Sequence, residues 1–225
     1  MTDEQSKTQG KIRPGTARAA GRRNRPLLPK LIMAVAAVGL FLISYQWGNQ
    51  FKLGGGEPPA ISGVMVRPPQ PLPDFVLTDS AGADVGRSDL LDRWALLSFA
   101  PLADARGHRS IARMVEVYNR LAADQALRER LRLLLISADS SPRLVRDFER
   151  LSPAMGILSA ERGVIDALRN ALGAGEQPPS DELPALFLVG PDASLLALFP
   201  AAQPAAEIAA DVEALAKWSD AKDRR

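Results

Sequence analysis

The sequence predicts an α/β domain, a mixed central sheet flanked by helices, carried behind an N-terminal transmembrane helix. Three observations predict it. Two apolar runs, WALLSF at 94–99 and LRLLLISA at 131–138, are short and lack polar alternation, which marks strands buried on both faces. Between them, Ile111, Met114, Val115, Tyr118, Leu121 and Ala122 recur at helical spacing over residues 110–130, the signature of an amphipathic helix. Nearer the N-terminus no residue from 31 to 51 is charged, and LIMAVAAVGLFLISYQW is almost wholly apolar.

Composition narrows the classes. With 225 residues, 46% of them hydrophobic, the chain can bury one good core, so one folded domain with extensions is expected. The chain has no cysteine. Disulfide exchange, thiol peroxidase chemistry and thiolate ligation of copper or zinc are therefore excluded within it. The absence does not identify a compartment, because exported proteins need not carry disulfides. Charge is uneven: the first 30 residues hold eight Lys and Arg against Asp3 and Glu4, a net of +6, and since the whole chain is +2 the remainder is −4. A basic tail directly before an apolar segment reads as a topology signal rather than a nucleic-acid arm, so no nucleic-acid partner is expected.

In order along the chain, residues 1–30 are too poor in large apolar side chains to order themselves and read as a disordered cytoplasmic tail. Residues 31–51 match the thickness of a bilayer core, about 20 residues as a helix. Lys30 and Lys52 bracket the segment, with Tyr45 and Trp47 at interfacial depth. A cleaved signal peptide lacks a small-x-small site here, and Arg22-Arg23 is followed by Arg25 and Pro26 where twin-arginine export signals prefer a large apolar residue. A buried soluble helix would need a polar face, which the segment lacks. The expectation is an uncleaved single-pass anchor, N-terminus in the cytoplasm. Residues 52–72, rich in Gly and Pro, read as a linker.

The domain is expected over residues 73–218, with 219–225 as a charged tail. Residues 74–78 read as a strand followed by a turn at 80–82. After the strand–helix–strand unit come helices around 142–151 and 161–172, then a polar loop. A hairpin of 185–189 and 194–199 across Gly190-Pro191-Asp192-Ala193 follows, and a final helix at 205–218 shows Ile208, Val212 and Leu215 on one face. This order is that of a thioredoxin-like domain with an N-terminal extension.

Over residues 71–200 the chain resembles the Sco/SenC family, membrane-anchored thioredoxin-like copper chaperones and thiol reductases of cytochrome c oxidase assembly. The resemblance lies in LPDFVLTDSAG, in the strand ending at Ser98-Phe99, in LLLISADSSPRLV and in LFLVGPDASLLALFP. These are scaffold features. The family's Cys-x-x-x-Cys falls on Asp104 and His108, and its Asp-His pair on Asp181-Glu182. A copper(I) site built on two soft thiolates does not survive that exchange, so the family's copper and thiol activities are not expected here. Pro184 matches the position where thioredoxin-like proteins hold a cis-proline, and is the candidate for one; otherwise it is a trans residue opening a strand.

Other chemistry is thinly supported. Asp104, His108 and Glu182 form a hard-to-borderline ligand set for zinc, manganese or copper(II) if they converge. Otherwise Asp104 caps the helix and the other two are solvated. Ser110 beside His108, the chain's single histidine, does not face it on a helix, which leaves no catalytic pair. Asp139 reads as a turn cap. The resulting expectation is of a non-enzymatic, cofactor-free interaction module. From the resemblance, it stands on the periplasmic side of a bacterial inner membrane and contacts oxidase subunits or assembly factors. The alternative is a metal-binding variant using Asp104, His108 and Glu182.

Overall fold

The computed structural model describes residues 58–139, 141–175 and 183–223. The anchor expected at 31–51 lies outside them, as does Glu182. No helix among the described residues is long and apolar enough to cross a membrane.

The elements run β1 (Val64–Pro71), β2 (Val76–Thr78), β3 (Asp84–Gly86), β4 (Trp94–Phe99), α1 (Ala105–Arg120), α2 (Gln125–Arg130), β5 (Leu131–Ser137), α3 (Pro142–Glu149), β6 (Met155–Ser159), α4 (Arg162–Ala171), β7 (Leu186–Val189), β8 (Ser194–Phe199) and α5 (Ala205–Asp223). The strands form one sheet in the order β1-β8-β7-β4-β5-β6-β2-β3. β4, β5 and β6 are parallel, while β7 joins β4 antiparallel and carries the hairpin with β8.

The central strands are apolar throughout because both sheet faces are covered. Trp94 and Leu96 of β4, Leu133 and Leu135 of β5 and Leu186 and Leu188 of β7 point to one face. There they meet Ile111, Met114 and Val117 of α1 and Ile208, Val212 and Leu215 of α5. The intervening residues Leu97, Phe99, Leu134, Ile136, Phe187 and Val189 point to the other face, which α4 covers with Ile165 and Leu168. The period-2 alternation is thus real but invisible as polarity, since each side chain lands in a core.

Several boundaries differ from the sequence expectation. The expected linker contains β1, an edge strand paired with β8 despite Pro68, Pro69 and Pro71. Proline is tolerated there because an edge has no outer partner to receive an N–H, and the pairing lapses between Met65 and Gln70, where Pro68 and Pro69 sit, before Pro71 pairs with Ser194. Residues 72–75 then lead to β2, near the opposite margin of the sheet; Leu72, 1% exposed, is buried on the α4 side. β6 was not expected because MGILS is short and holds Gly156. β3 follows a turn in which the Asp79 carboxylate accepts from the backbone of Ala81 at 2.9 Å and Ala83 at 2.8 Å. The long helix expected over 110–130 breaks after Arg120, and α2 restarts behind Asp124, whose side chain accepts from the Leu127 N–H at 3.0 Å. α5 continues past 218 into the expected tail, and its Asp220 pairs with Arg130 at 3.3 Å.

The chain enters the domain through a carboxylate clamp. Asp211, on α5 and 6% exposed, accepts from the backbone N–H of Ser62 at 3.0 Å and of Gly63 at 2.9 Å, and from the Gln203 side chain at 2.9 Å. Gly63 is required there, because a Cβ would lie 2.5 Å from the buried Phe199 ring.

Candidate functional site

The junction between β4 and α1 is where the sequence places the chemistry of this fold. Asp104 is the N-cap of α1, with extended backbone. One carboxylate oxygen accepts from the backbone N–H of Arg106 at 2.8 Å and Gly107 at 3.3 Å. The other accepts from Arg106 Nε at 3.0 Å and Nη2 at 2.7 Å. Because Asp104 lies outside the helix proper, i, i+4 stacking with His108 does not arise, and its side chain folds back over the helix N-terminus.

Partial burial raises the Asp104 carboxyl pKa, but hydrogen bonds from the Arg106 side chain and the Arg106 and Gly107 backbone, with the guanidinium charge, outweigh this and hold it below the ordinary aspartate value. A lowered carboxyl pKa contributes stability that is present above the unfolded-state value and lost as pH falls through the folded one. Loss of the cap in Asp104→Ala should cost about 1 kcal/mol at neutral pH, and the part of that difference that comes from the charge should fade as pH drops below ~4. The ion pair itself adds little, since the Asp104 side chain is 38% exposed. Denaturation at pH 7 and pH 3 checks this, and an unchanged gap would rule out the charge as its source.

His108 is exposed on α1 with its ring against Phe148 of α3, centroids 4.9 Å apart and planes at 47°. Asp104 and His108 are thus engaged separately. Among the described residues no three His, Cys, Asp or Glu side chains cluster as metal ligands would. Ser110 is buried and shares a 2.5 Å hydrogen bond with Ser98 of β4, tying α1 to the sheet. Asp139 follows the end of β5, and its backbone N–H donates to Ser137 Oγ at 3.1 Å. Among the described residues the one cis peptide bond is Arg67–Pro68. The Leu183–Pro184 bond is not cis, and Pro184 lies two residues before β7.

Two residues were missed by sequence reasoning. Gly107 is buried where α1 presses on the preceding loop: a Cβ there would lie 2.2 Å from the Pro101 carbonyl oxygen and 3.1 Å from Leu102 Cα. The junction is closed backbone against backbone, with no room for a side chain. Arg113 is 8% exposed on the apolar stripe of α1. Its guanidinium donates to the carbonyls of Pro200 and Gln203, both at 2.6 Å, and of Pro184 at 3.4 Å, joining the segment before β7 to the loop after β8. Burial lowers its pKa from the ordinary value. The available signal was a polar residue at i+3 from Ser110 and i−1 from Met114, inside the stripe.

No protein-family model matches the chain, and no curated protein matches it in sequence. Solved structures do match in fold. Arabidopsis thaliana ScoI with copper bound is 14% identical at a TM-score of 0.53, over 65% of this chain and 98% of that one. BsSco, described as a member of the Sco family of cytochrome c oxidase assembly proteins, is 18% identical at 0.54, over 68% and 98%. Apo Sco1 from Thermus thermophilus is 18% identical at 0.53, over 72% and 99%. At these identities the likeness is one of fold: a mixed thioredoxin-like sheet flanked by helices, in the form seen in Sco structures.

Proposed function

We propose that this chain is a membrane-anchored, redox-inactive Sco-like protein that assists cytochrome c oxidase assembly through protein contacts, its domain on the periplasmic face of a bacterial inner membrane. The observation that carries the reading is a closed junction on a Sco-type scaffold. Gly107 lies against the Pro101 carbonyl, the Asp104 carboxylate is held by the helix end and Arg106, and the chain has no cysteine. A surface that neither carries electrons through thiols nor holds cuprous ion on thiolates retains the shape by which such a scaffold meets other proteins. Metal binding by Asp104, His108 and Glu182 gains no comparable support, since Asp104 is engaged by the cap and His108 stacks on Phe148.

Affinity purification of the full chain from detergent-solubilised membranes, after mild crosslinking, is expected to recover an oxidase subunit or assembly factor. Recovery of neither would remove the reading. Because the chain has no cysteine, single replacements Thr8→Cys and Ser219→Cys report topology. An impermeant maleimide applied to cells with a permeabilised outer membrane should label the second alone.

A further inference from the structure

The Asp211 clamp and the Arg113 network share one residue. Gln203 lies in the turn between β8 and α5, which is closed by its own N–H donating to the Pro200 carbonyl at 3.1 Å. Its backbone carbonyl accepts from Arg113 Nη2 at 2.6 Å, while its side-chain Nε2 donates to Asp211 Oδ2 at 2.9 Å. One hydrogen-bonded path therefore runs from the Ser62 and Gly63 amides through Asp211, Gln203 and Arg113 to the Pro184 carbonyl. The three side chains that carry it are each no more than 8% exposed.

Gln203 is the link that gives. A carboxylate only accepts, so the amide must turn its nitrogen to Asp211, and its Oε1 is then buried with no hydrogen-bond partner among the described residues. An amide satisfied at one end alone is held in place by that end. The carboxylate is shared in turn with the strap at residues 58–63, whose Ser62 and Gly63 supply two of its three donors among the described residues. With the strap lifted, a buried charge keeps one donor, and it must shift or draw in water. Either response frees the Gln203 side chain and slackens the turn whose carbonyls Arg113 holds. In the other direction, loss of the guanidinium releases the turn and so the amide that steadies Asp211.

We infer that the Asp211–Gln203–Arg113 relay makes seating of the strap and ordering of the segments before β7 and after β8 one cooperative event, so that release of either end loosens the other. Hydrogen exchange followed by NMR on the full chain in neutral detergent reads both ends. The Leu133 amide, bonded to the Ala154 carbonyl at 2.9 Å within the sheet, measures global opening. Arg113→Met should speed exchange of the Ser62 and Gly63 amides about tenfold beyond any change at Leu133. Because coupling is reciprocal, Asp211→Ala should speed the Arg113 guanidinium protons by about the same factor. Gln203→Leu cuts the side-chain link and keeps the backbone carbonyl, and in that background Arg113→Met should move the strap amides no more than Leu133. Strap amides that follow Leu133 in Arg113→Met, guanidinium protons unmoved by Asp211→Ala, or the same strap response with and without the Gln203 side chain would each overturn the relay. If Arg113→Met is too unstable to measure, Asp211→Ala alone decides.

Discussion

Replacing Arg113 with methionine is expected to destabilise the domain by about 3 kcal/mol or more, because it leaves buried polar groups without partners. The volume change is small, so the effect is not one of packing. The guanidinium holds the carbonyls of Pro184, Pro200 and Gln203, and an apolar replacement leaves these acceptors, two of them on the buried residues Pro184 and Gln203, without their donor. For a domain of this size the loss corresponds to a fall in melting temperature of about 10 °C. Arg113→Lys keeps the charge and one three-donor nitrogen in place of the Nη2 that holds Pro200 and Gln203, but not the second nitrogen that reaches Pro184, so it should recover only part of the loss. Thermal and urea unfolding of the full chain in detergent measure both. A methionine variant within about 1 kcal/mol of wild type would mean that solvent enters and satisfies the carbonyls.

Gly107→Ala is expected to destabilise by about 2 kcal/mol, although the same exchange inside a helix normally stabilises by up to about 1 kcal/mol. The sign reverses because the new Cβ meets backbone: the Pro101 carbonyl oxygen at 2.2 Å does not swing aside as the tip of a side chain would. The loop must lift from α1, loosening the Asp104 cap as it moves. Gly163 in α4 is the control, since nothing lies within 4 Å of a Cβ there, and Gly163→Ala should leave stability unchanged or raise it by a few tenths of a kcal/mol. Two stabilising alanines would show that the junction is more open than its geometry indicates. Gly107→Cys should fail more severely than alanine, so a thiol at this position cannot be introduced without rebuilding the loop.

The central strands and α1 were legible because their signals are dense. A six-residue apolar run such as WALLSF has few alternatives to a strand buried on both sides, and the spacing from Ile111 to Leu121 fits one face of a helix. β1 was not legible, because three prolines read as linker to any argument that does not know the strand lies at an edge. β6 was too short to outweigh its glycine. At the junction, spacing drew attention to Asp104 and His108, but spacing on a helix presumes that both residues belong to it, and Asp104 stands just outside as the cap. The consequential residue, Gly107, carries no side chain by which a sequence could announce it. Arg113 was overlooked for the opposite reason: one more arginine in an arginine-rich stretch looks solvated until the loops that wrap it are known.

The Asp211 clamp bears on how the domain withstands traction. Its two carboxylate oxygens hold successive backbone amides, Ser62 on one and Gly63 on the other, so tension arriving along the preceding chain meets two bonds to a single carboxylate. Force applied from the N-terminal side is therefore met on a helix packed into the core before it reaches the pairing of the proline-broken edge strand, the part of the sheet least fit to resist peeling.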